Sequence, residues 1–443
     1  MKQLAYFSFL CIVFLFSCKS DSTSYKKELS NPDWLHQIMG AYTDVIVHDI
    51  FSPPVASRNY AYTTIAAYEA ARHLDSSYVS LGGQLNGLSA LPEPEKGKEY
   101  AFELAAIKAM ITTGKKFIFS EKDFSDFEKT LMAKVDQLNI PKDVYDRSIA
   151  YGDAVAKHIM AWADGDNYKQ SRSFSKFTIN LKDAARWRTT PPMFMDAIEP
   201  HWNQIRPMAL DSAGQFKPAP HTPFDTLPGS QFMKEAKEVY DTGKNLTEEQ
   251  TLIANFWDCN PYKMNVTGHA MHATKKITPG GHWMSITRIS GLKAKSDFVK
   301  TAQSYAITSI ALFDGFISCW DEKFRSNLIR PESVINQYID ENWMPLLQTP
   351  PFPEYTSGHS VISSASAVVL ASVYGENFSF KDSTEVRFGL PVRDFPSYEA
   401  ACQEAAISRL YGGIHYKPAI VNGVDQGKKI GHHILNTIRF RKS

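Results

Sequence analysis

Apolar residues recur every three to four positions along most of the chain. From Trp34 to Ile50 the residues Trp34, Ile38, Tyr42, Val45 and Ile46 form one stripe, and the same spacing returns over Asn59 to Leu74, Tyr100 to Phe119, Glu121 to Leu138 and Asp143 to Trp162. Such spacing predicts amphipathic helices, each burying one face, and hence a first helical bundle. Helical spacing resumes at about Gln231 to Thr242, Thr247 to Asp258, Ser296 to Cys319, Ser360 to Tyr374, Ser397 to Tyr411 and Pro418 to Ile438. These segments predict a second bundle, and because strand-like alternation is nearly absent the fold class is all-α. Between Gly165 and Pro228 the pattern fails: Pro191, Pro192, Pro200, Pro207, Pro218, Pro220 and Pro223 mark a long irregular connection, of the kind that serves function or spans domains. No repeat of solenoid period is present.

The N-terminus follows another pattern. Lys2 precedes a nearly unbroken apolar run from Leu4 to Phe16, too short to cross a bilayer comfortably and suited to a signal peptide over residues 1–17. The run ends in Leu15-Phe16-Ser17-Cys18, a bacterial lipoprotein processing pattern that makes Cys18 the lipidated first residue. Residues 18–30 then read as a polar tether, 31–228 as the first bundle with its connection, and 229–443 as the second bundle. The expectation is an exported protein, facing the periplasm or the cell surface, or secreted where Cys18 carries no lipid. No later apolar run approaches 18 residues, so membrane attachment is expected only through that lipid.

Composition narrows the chemistry. With 48 Lys+Arg against 47 Asp+Glu there is no basic face for nucleic acid, so any anion site is local. Beyond Cys18 the mature chain has Cys259, Cys319 and Cys402, with neither a Cys-x-x-Cys-His nor a paired Cys-x-x-Cys spacing. Haem and structural zinc are therefore not expected. His269, His272 and His282 lack a third ligand at defined spacing and read as surface or core residues.

Three short segments near the C-terminus carry the candidate site. Lys323 and Arg330 are seven apart, so a continuous helix would place them on one face, with Pro331 ending it. Ser357-Gly358-His359 opens the next apolar-periodic stretch, a helix start whose free N–H groups and Ser hydroxyl can hold an anion. Arg409 and His415 would diverge on an unbroken helix, but Gly412-Gly413 between them can break it. Together these residues offer three fixed cations, neutral donors at Ser357 and the Gly358 amide, and two histidines, a set suited to a tetrahedral, multiply charged oxyanion.

In this order, Lys-x6-Arg-Pro, Ser-Gly-His and Ser-Arg-x5-His resemble the signature shared by the type 2 phosphatidic acid phosphatase superfamily and the vanadium-dependent haloperoxidases. Thr356 stands where proline commonly precedes the serine. Trp320, three residues before Lys323, and Pro351-Phe352-Pro353-Glu354-Tyr355 resemble the haloperoxidase branch, as do Ser52-Pro53-Pro54, Asn59 to Ala71 and Gly281-His282-Trp283 upstream. The resemblance implies that His415 coordinates vanadium(V), and that Lys323, Arg330, Ser357, Gly358 and Arg409 hold the vanadate oxygens. His359 would act as acid and base. Halide would then be oxidised by hydrogen peroxide to hypohalous acid through a peroxovanadate on His415, with Lys323 polarising the O–O bond and no haem required. Phe352, where algal bromoperoxidases tend to have His, resembles the chloroperoxidases and the bacterial iodoperoxidases. As an exported lipoprotein with this C-terminal sequence the chain most resembles the bacterial iodoperoxidases, which implies iodide, the easiest halide to oxidise, its product released or passed to an organic acceptor. Trp320, Phe352 and Tyr262 are candidates for the halide pocket, with Tyr262 the candidate partner of His359.

Two alternatives remain open from sequence. One is a soluble acid phosphatase of the same superfamily, with His415 as phosphohistidine and His359 protonating the leaving group. The other is a non-catalytic, nutrient-binding surface lipoprotein whose aromatic platforms would be Trp187, Trp202 and Tyr240.

Overall fold

A computed structural model describes residues 24–442 apart from 268, 269 and 274. The signal peptide expected over residues 1–17, and Cys18, lie outside the described residues. The first half holds α1 (Ser24–Leu29), α2 (Asp33–His48), α3 (Pro53–Ala71), α4 (Phe102–Lys115), α5 (Glu121–Asp136), α6 (Lys142–Asp164) and α7 (Tyr168–Ser171). The second holds α8 (Gln231–Lys244), α9 (Glu248–Phe256), α10 (Pro279–Ala294), α11 (Phe298–Ser326), α12 (Pro331–Tyr338), α13 (Gly358–Tyr374), α14 (Tyr398–Tyr411) and α15 (Lys417–Thr437). Two short antiparallel hairpins complete the described residues: β1 (Met264–Thr267) with β2 (Ala270–Ala273), and β3 (Phe380–Asp382) with β4 (Arg393–Phe395). The fold is all-α, as the apolar spacing requires.

Local chemistry sets many helix starts. Ser52, Ser230, Thr278, Asp297, Ser357 and Ser397 each accept a backbone N–H from the first turn of the helix that follows, and Thr247 with Gln250 forms a capping box on α9. Prolines at the first turn of α3, α10, α12 and α15 suit a position whose N–H has no intrahelical partner.

Packing runs from α6 through α4 and α3 to α11, and on through α13 to α14 and α15. Every residue of α3 is buried, and one apolar core extends from Tyr25 to Phe440. The change of pattern near residue 228 is thus a change in the chain and not a gap in the core. The α15 backbone closes on α13 through Gly423, Gly427 and Gly431; a Cβ at Gly427 would meet the Val361 carbonyl oxygen at 2.0 Å. This close approach holds the N-terminus of α13, where the Ser357 N–H donates to the Ala419 carbonyl at 3.0 Å.

The irregular connection straps the second bundle to the first. The backbone N–H groups of Met208, Ala209 and Leu210 converge on the Asp314 carboxylate of α11 at 2.7, 2.8 and 3.0 Å. Burial pushes Asp314 up to about 6 against those three bonds. Farther along, the Ile198 carbonyl accepts the Trp320 indole N–H. Trp187 and Trp202 are each 1% exposed, so the open aromatic platforms of a nutrient-binding surface are overturned: both rings are core. Tyr240 is half-buried and its hydroxyl donates to Asp340. The tether is also shorter than expected, because Tyr25 and Leu29, four apart on α1, bury themselves at 3% and 0% exposure.

Candidate active site

Three chain reversals bring the candidate residues together. Lys323 lies in the last turn of α11, which stops where Asn327 takes a left-handed φ of 50°. Arg330 does not continue that helix, as the seven-residue spacing suggested. It is the extended residue before Pro331, with φ −79° and ψ 152°, the conformation that a following proline favours. Both cations nonetheless reach the same ring, with Lys323 Nζ 5.1 Å and the Arg330 guanidinium 5.0 Å from the Phe352 centroid. Ser357 caps α13 by accepting the Ser360 N–H at 3.3 Å, which leaves its own O–H to donate. Arg409 lies in the last turn of α14, and Gly413, at φ +76°, turns the chain so that His415 comes back beside Arg330.

The protonation pattern follows from burial and partners. His415 Nδ1 lies 2.8 Å from Glu354 Oε1, which also accepts the Tyr416 N–H at 3.0 Å. Burial, reinforced by Arg330, Lys323 and Arg409, holds the imidazole well below its ordinary pKa. Neutral His415 therefore donates from Nδ1, and its Nε2 lone pair accepts from Arg330 Nη1 at 3.2 Å. His359 is likewise held neutral, by burial first and by Arg409 next, and it is hydrogen-bonded to the Trp257 backbone. Its Nε2 is buried without a partner.

Arg409 Nη2 donates to that same Trp257 carbonyl at 2.7 Å. Arg330 donates to the carbonyls of Phe352 and Ile414, while its Nη2 is buried and unpartnered. Lys323 donates to the carbonyls of Pro353, Glu354 and Thr356 at 3.0, 3.0 and 2.5 Å. All three of its protons are thereby engaged, so in this state Lys323 serves the site as charge. Burial draws Lys323 down to about 7 and Arg330 to about 10, and pushes Glu354 up to about 7.

A cavity of about 40 Å³ is lined by Gly358, His359, Arg409, His415, Trp320 and Phe352, among others, several times the roughly 10–15 Å³ that one water needs. Lys323, Arg330 and Ser357 stand behind this wall. Tyr262 also lines the cavity, but its hydroxyl is paired with Ser52, and the group that orients His359 is the Trp257 carbonyl. Sequence reasoning missed Trp257, because a main-chain carbonyl leaves no trace in residue type. It missed Glu354 as well, although a signal was present: Glu354 stands three residues before Ser357, and the three motif segments themselves contain no carboxylate.

Lys323 gives the anion-free protein a pH signature. The unfolded chain keeps this proton up to about 10.5, whereas the native state releases it above about 7. Between those values the unfolded state binds more protons, so stability rises with pH over that window, and the charged lysine costs most below it. The melting temperature of wild type is expected to climb relative to Lys323→Met from pH 7 to pH 10; parallel profiles would show that the buried ammonium carries no such cost.

The donor set fits a tetrahedral oxyanion with a bond to nitrogen. Arg330 Nη2 is an orphaned buried donor, Ser357 keeps a free hydroxyl proton, the Gly358 N–H lies in the first turn of α13, and His415 Nε2 carries a lone pair. Of the carboxylates at hand, Glu354 is engaged through Oε1 by His415 and Tyr416, and Asp258 in the cavity wall pairs with Lys276 at 2.6 Å. Comparison with known proteins agrees. A family profile described as the VCPO second helical-bundle domain matches residues 303–441. A bacterial vanadium-dependent iodoperoxidase of known structure is 50% identical over 93% of this chain and 98% of its own, with a TM-score of 0.88. The holo and apo forms of a bacterial vanadium-dependent chloroperoxidase share the fold at 15% and 14% identity, covering 88% and 87% of this chain and 93% and 94% of theirs, with TM-scores of 0.67 and 0.68. No curated protein sequence matches the chain.

Proposed function

This chain belongs to the vanadium-dependent haloperoxidase family, and on that premise we propose that it oxidises halide, iodide foremost, with hydrogen peroxide at a vanadate held by His415. The observation that carries the reading is the pairing of a neutral His415, its Nε2 lone pair set by Glu354, with the unpartnered Arg330 Nη2 and His359 Nε2.

When bound, vanadium(V) acts as a Lewis acid that polarises peroxide oxygen without changing oxidation state. The chain supplies the rest. Arg330, Arg409 and Lys323 offset the oxyanion's charge in a site screened from water, where each charge counts for more than at the surface. The Ser357 hydroxyl and the Gly358 N–H add neutral donors at the start of α13, and contact with Lys323 Nζ requires it to exchange one carbonyl for an anion oxygen. Converting peroxide, halide and a proton to hypohalous acid and water needs one proton per turnover. Neutral His359, anchored through Trp257, can take and return it at Nε2.

Iodide suits the walls. Trp320, Phe352, Phe316 and Ile414 line the cavity, and moving an anion into such surroundings costs less as its radius grows. The 50% identical relative is itself an iodoperoxidase. We further propose, from the sequence of residues 1–18, that the protein is exported and anchored by lipid on Cys18; mass spectrometry of the membrane fraction reports the modification.

The decisive assay uses residues 19–443 reconstituted with orthovanadate and given hydrogen peroxide with iodide, bromide or chloride. Vanadate-dependent triiodide formation, suppressed by phosphate, is the expected result. Hydrolysis of p-nitrophenyl phosphate before vanadate is added, with every halide well silent, would move the same residues to the phosphatase chemistry.

A further inference from the structure

A second group of ligand-type side chains converges behind the cavity, from four parts of the chain. Cys259 follows α9, His282 sits in the first turns of α10, Asp382 ends β3, and Glu385 lies just beyond it. Cys259 is 1% exposed, and the side chains of His282, Asp382 and Glu385 are at 0%, 0% and 4%. Asp382 Oδ2 holds His282 Nε2 at 2.8 Å, and its other oxygen accepts the Thr384 N–H at 2.9 Å. That leaves His282 Nδ1 facing Cys259 Sγ at 3.5 Å and Glu385 Oε1 at 3.3 Å. Glu385 Oε1 is buried and takes no hydrogen bond.

The two separations from His282 Nδ1, which serve as a hydrogen bond and an ion pair without an ion, also suit a coordination polyhedron. With Zn–S about 2.3 Å, Zn–N about 2.0–2.1 Å and Zn–O about 2.0–2.2 Å, tetrahedral angles set the S···N edge at about 3.5 Å and the N···O edge at about 3.3–3.4 Å. Both edges are met, and the three ligand atoms all lie within 4.8 Å of one another. A carboxylate on the far nitrogen of the histidine is the usual device that fixes a metal-binding tautomer, and Asp382 occupies that place.

We propose that Cys259, His282 and Glu385 bind a zinc-class divalent cation, with Asp382 orienting His282 and a water completing the tetrahedron. The thiol gives up its proton as the ion enters. Cys259 also lines the oxyanion cavity, so the two sites adjoin, but they differ in chemistry, since this one pairs a thiolate and a carboxylate with a cation. It also reaches the catalytic residues: the His282 ring stacks on Trp257 with centroids 4.5 Å apart and planes at 19°, and Trp257 holds Arg409 and His359. Its ligands come from distant elements, so no paired-cysteine spacing announces it. The inference does not rest on the halide reading.

The test is cobalt(II) titration of chelator-treated residues 19–443, read by absorption. The expected result is one equivalent of tetrahedral cobalt with a thiolate-to-cobalt charge-transfer band. That band is lost in Cys259→Ser and kept in Cys402→Ser, and Asp382→Asn binds about 10–100-fold more weakly. Absence of the band in folded wild type at saturating cobalt, or its survival in Cys259→Ser, overturns the proposal. The first of these outcomes needs only wild type, so a variant that fails to fold leaves the proposal open to refutation.

Discussion

Replacing His415 with alanine is expected to abolish vanadate binding and halide oxidation together, while His359→Ala keeps measurable vanadate affinity and loses most turnover. The asymmetry follows from where the two rings point. His415 Nε2 accepts from Arg330 Nη1 at 3.2 Å, and its Nδ1 is fixed by Glu354, so its lone pair has a preset direction and is released to an oxyanion's central atom when Arg330 turns to the anion's oxygens. A lost partner behind a ligand costs about 10–100-fold in affinity, and losing the ligand itself costs more. His359 lines the cavity, with Nε2 unpartnered, the placement of a group that exchanges a proton and does not hold the ion. Thermal shift separates the two. At 100 times its dissociation constant a ligand adds about 2.7 kcal/mol of apparent stability, which wild type and His359→Ala should show and His415→Ala should not. Equal shifts in wild type and His415→Ala would remove His415 as the ligand.

What the sequence disclosed and what it hid divide along physical lines. Helices were legible wherever one apolar stripe met a core: Ile38, Tyr42, Val45 and Ile46 of α2 are all buried. The start of α13 was legible because Ser357 and Gly358 are chemically suited to a helix N-terminus, and the turn before His415 because Gly412-Gly413 permits it. The course between Lys323 and Arg330 was not, because spacing alone cannot tell one helix from a helix, a left-handed Asn327 and an extended residue before proline. Contacts made by the backbone were also hidden. The carbonyls that engage Lys323 and the Trp257 carbonyl shared by Arg409 and His359 depend on the tertiary path of loops.

The same backbone contacts explain how three cations are tolerated in a site from which water is largely withdrawn. An isolated buried charge is costly unless it is paired and hydrogen-bonded. Lys323, Arg330 and Arg409 each donate to main-chain carbonyls, which supply partial negative charge without neutralising the cation. Positive potential therefore survives for an incoming oxyanion. A full carboxylate partner at each position would have cancelled it.

Glu354 is the exception, and its substitution should separate charge from shape. In Glu354→Gln the side-chain oxygen can still accept the His415 Nδ1–H and Tyr416 N–H bonds, now 2.8 and 3.0 Å long, so the fold and the ring orientation should persist. The lost negative charge no longer raises the basicity of Nε2, and vanadate affinity is expected to fall by about 10–100-fold. Glu354→Ala removes the acceptor as well and leaves Arg330 and Lys323 without the carboxylate that offsets them. Both variants lose that charge, and breaking a buried charge pair costs about 3–5 kcal/mol. The alanine variant also strands the His415 Nδ1–H and the Tyr416 N–H as buried unpaired donors, at about 1–3 kcal/mol each, so it should unfold at distinctly lower denaturant than the glutamine variant, and the glutamine variant below wild type. Vanadate titration and denaturant unfolding on the same three proteins read the two effects apart. Wild-type affinity in Glu354→Gln would reduce Glu354 to a hydrogen-bonding spacer, and unchanged stability in Glu354→Ala would mean that the carbonyl cage alone supports the buried cations.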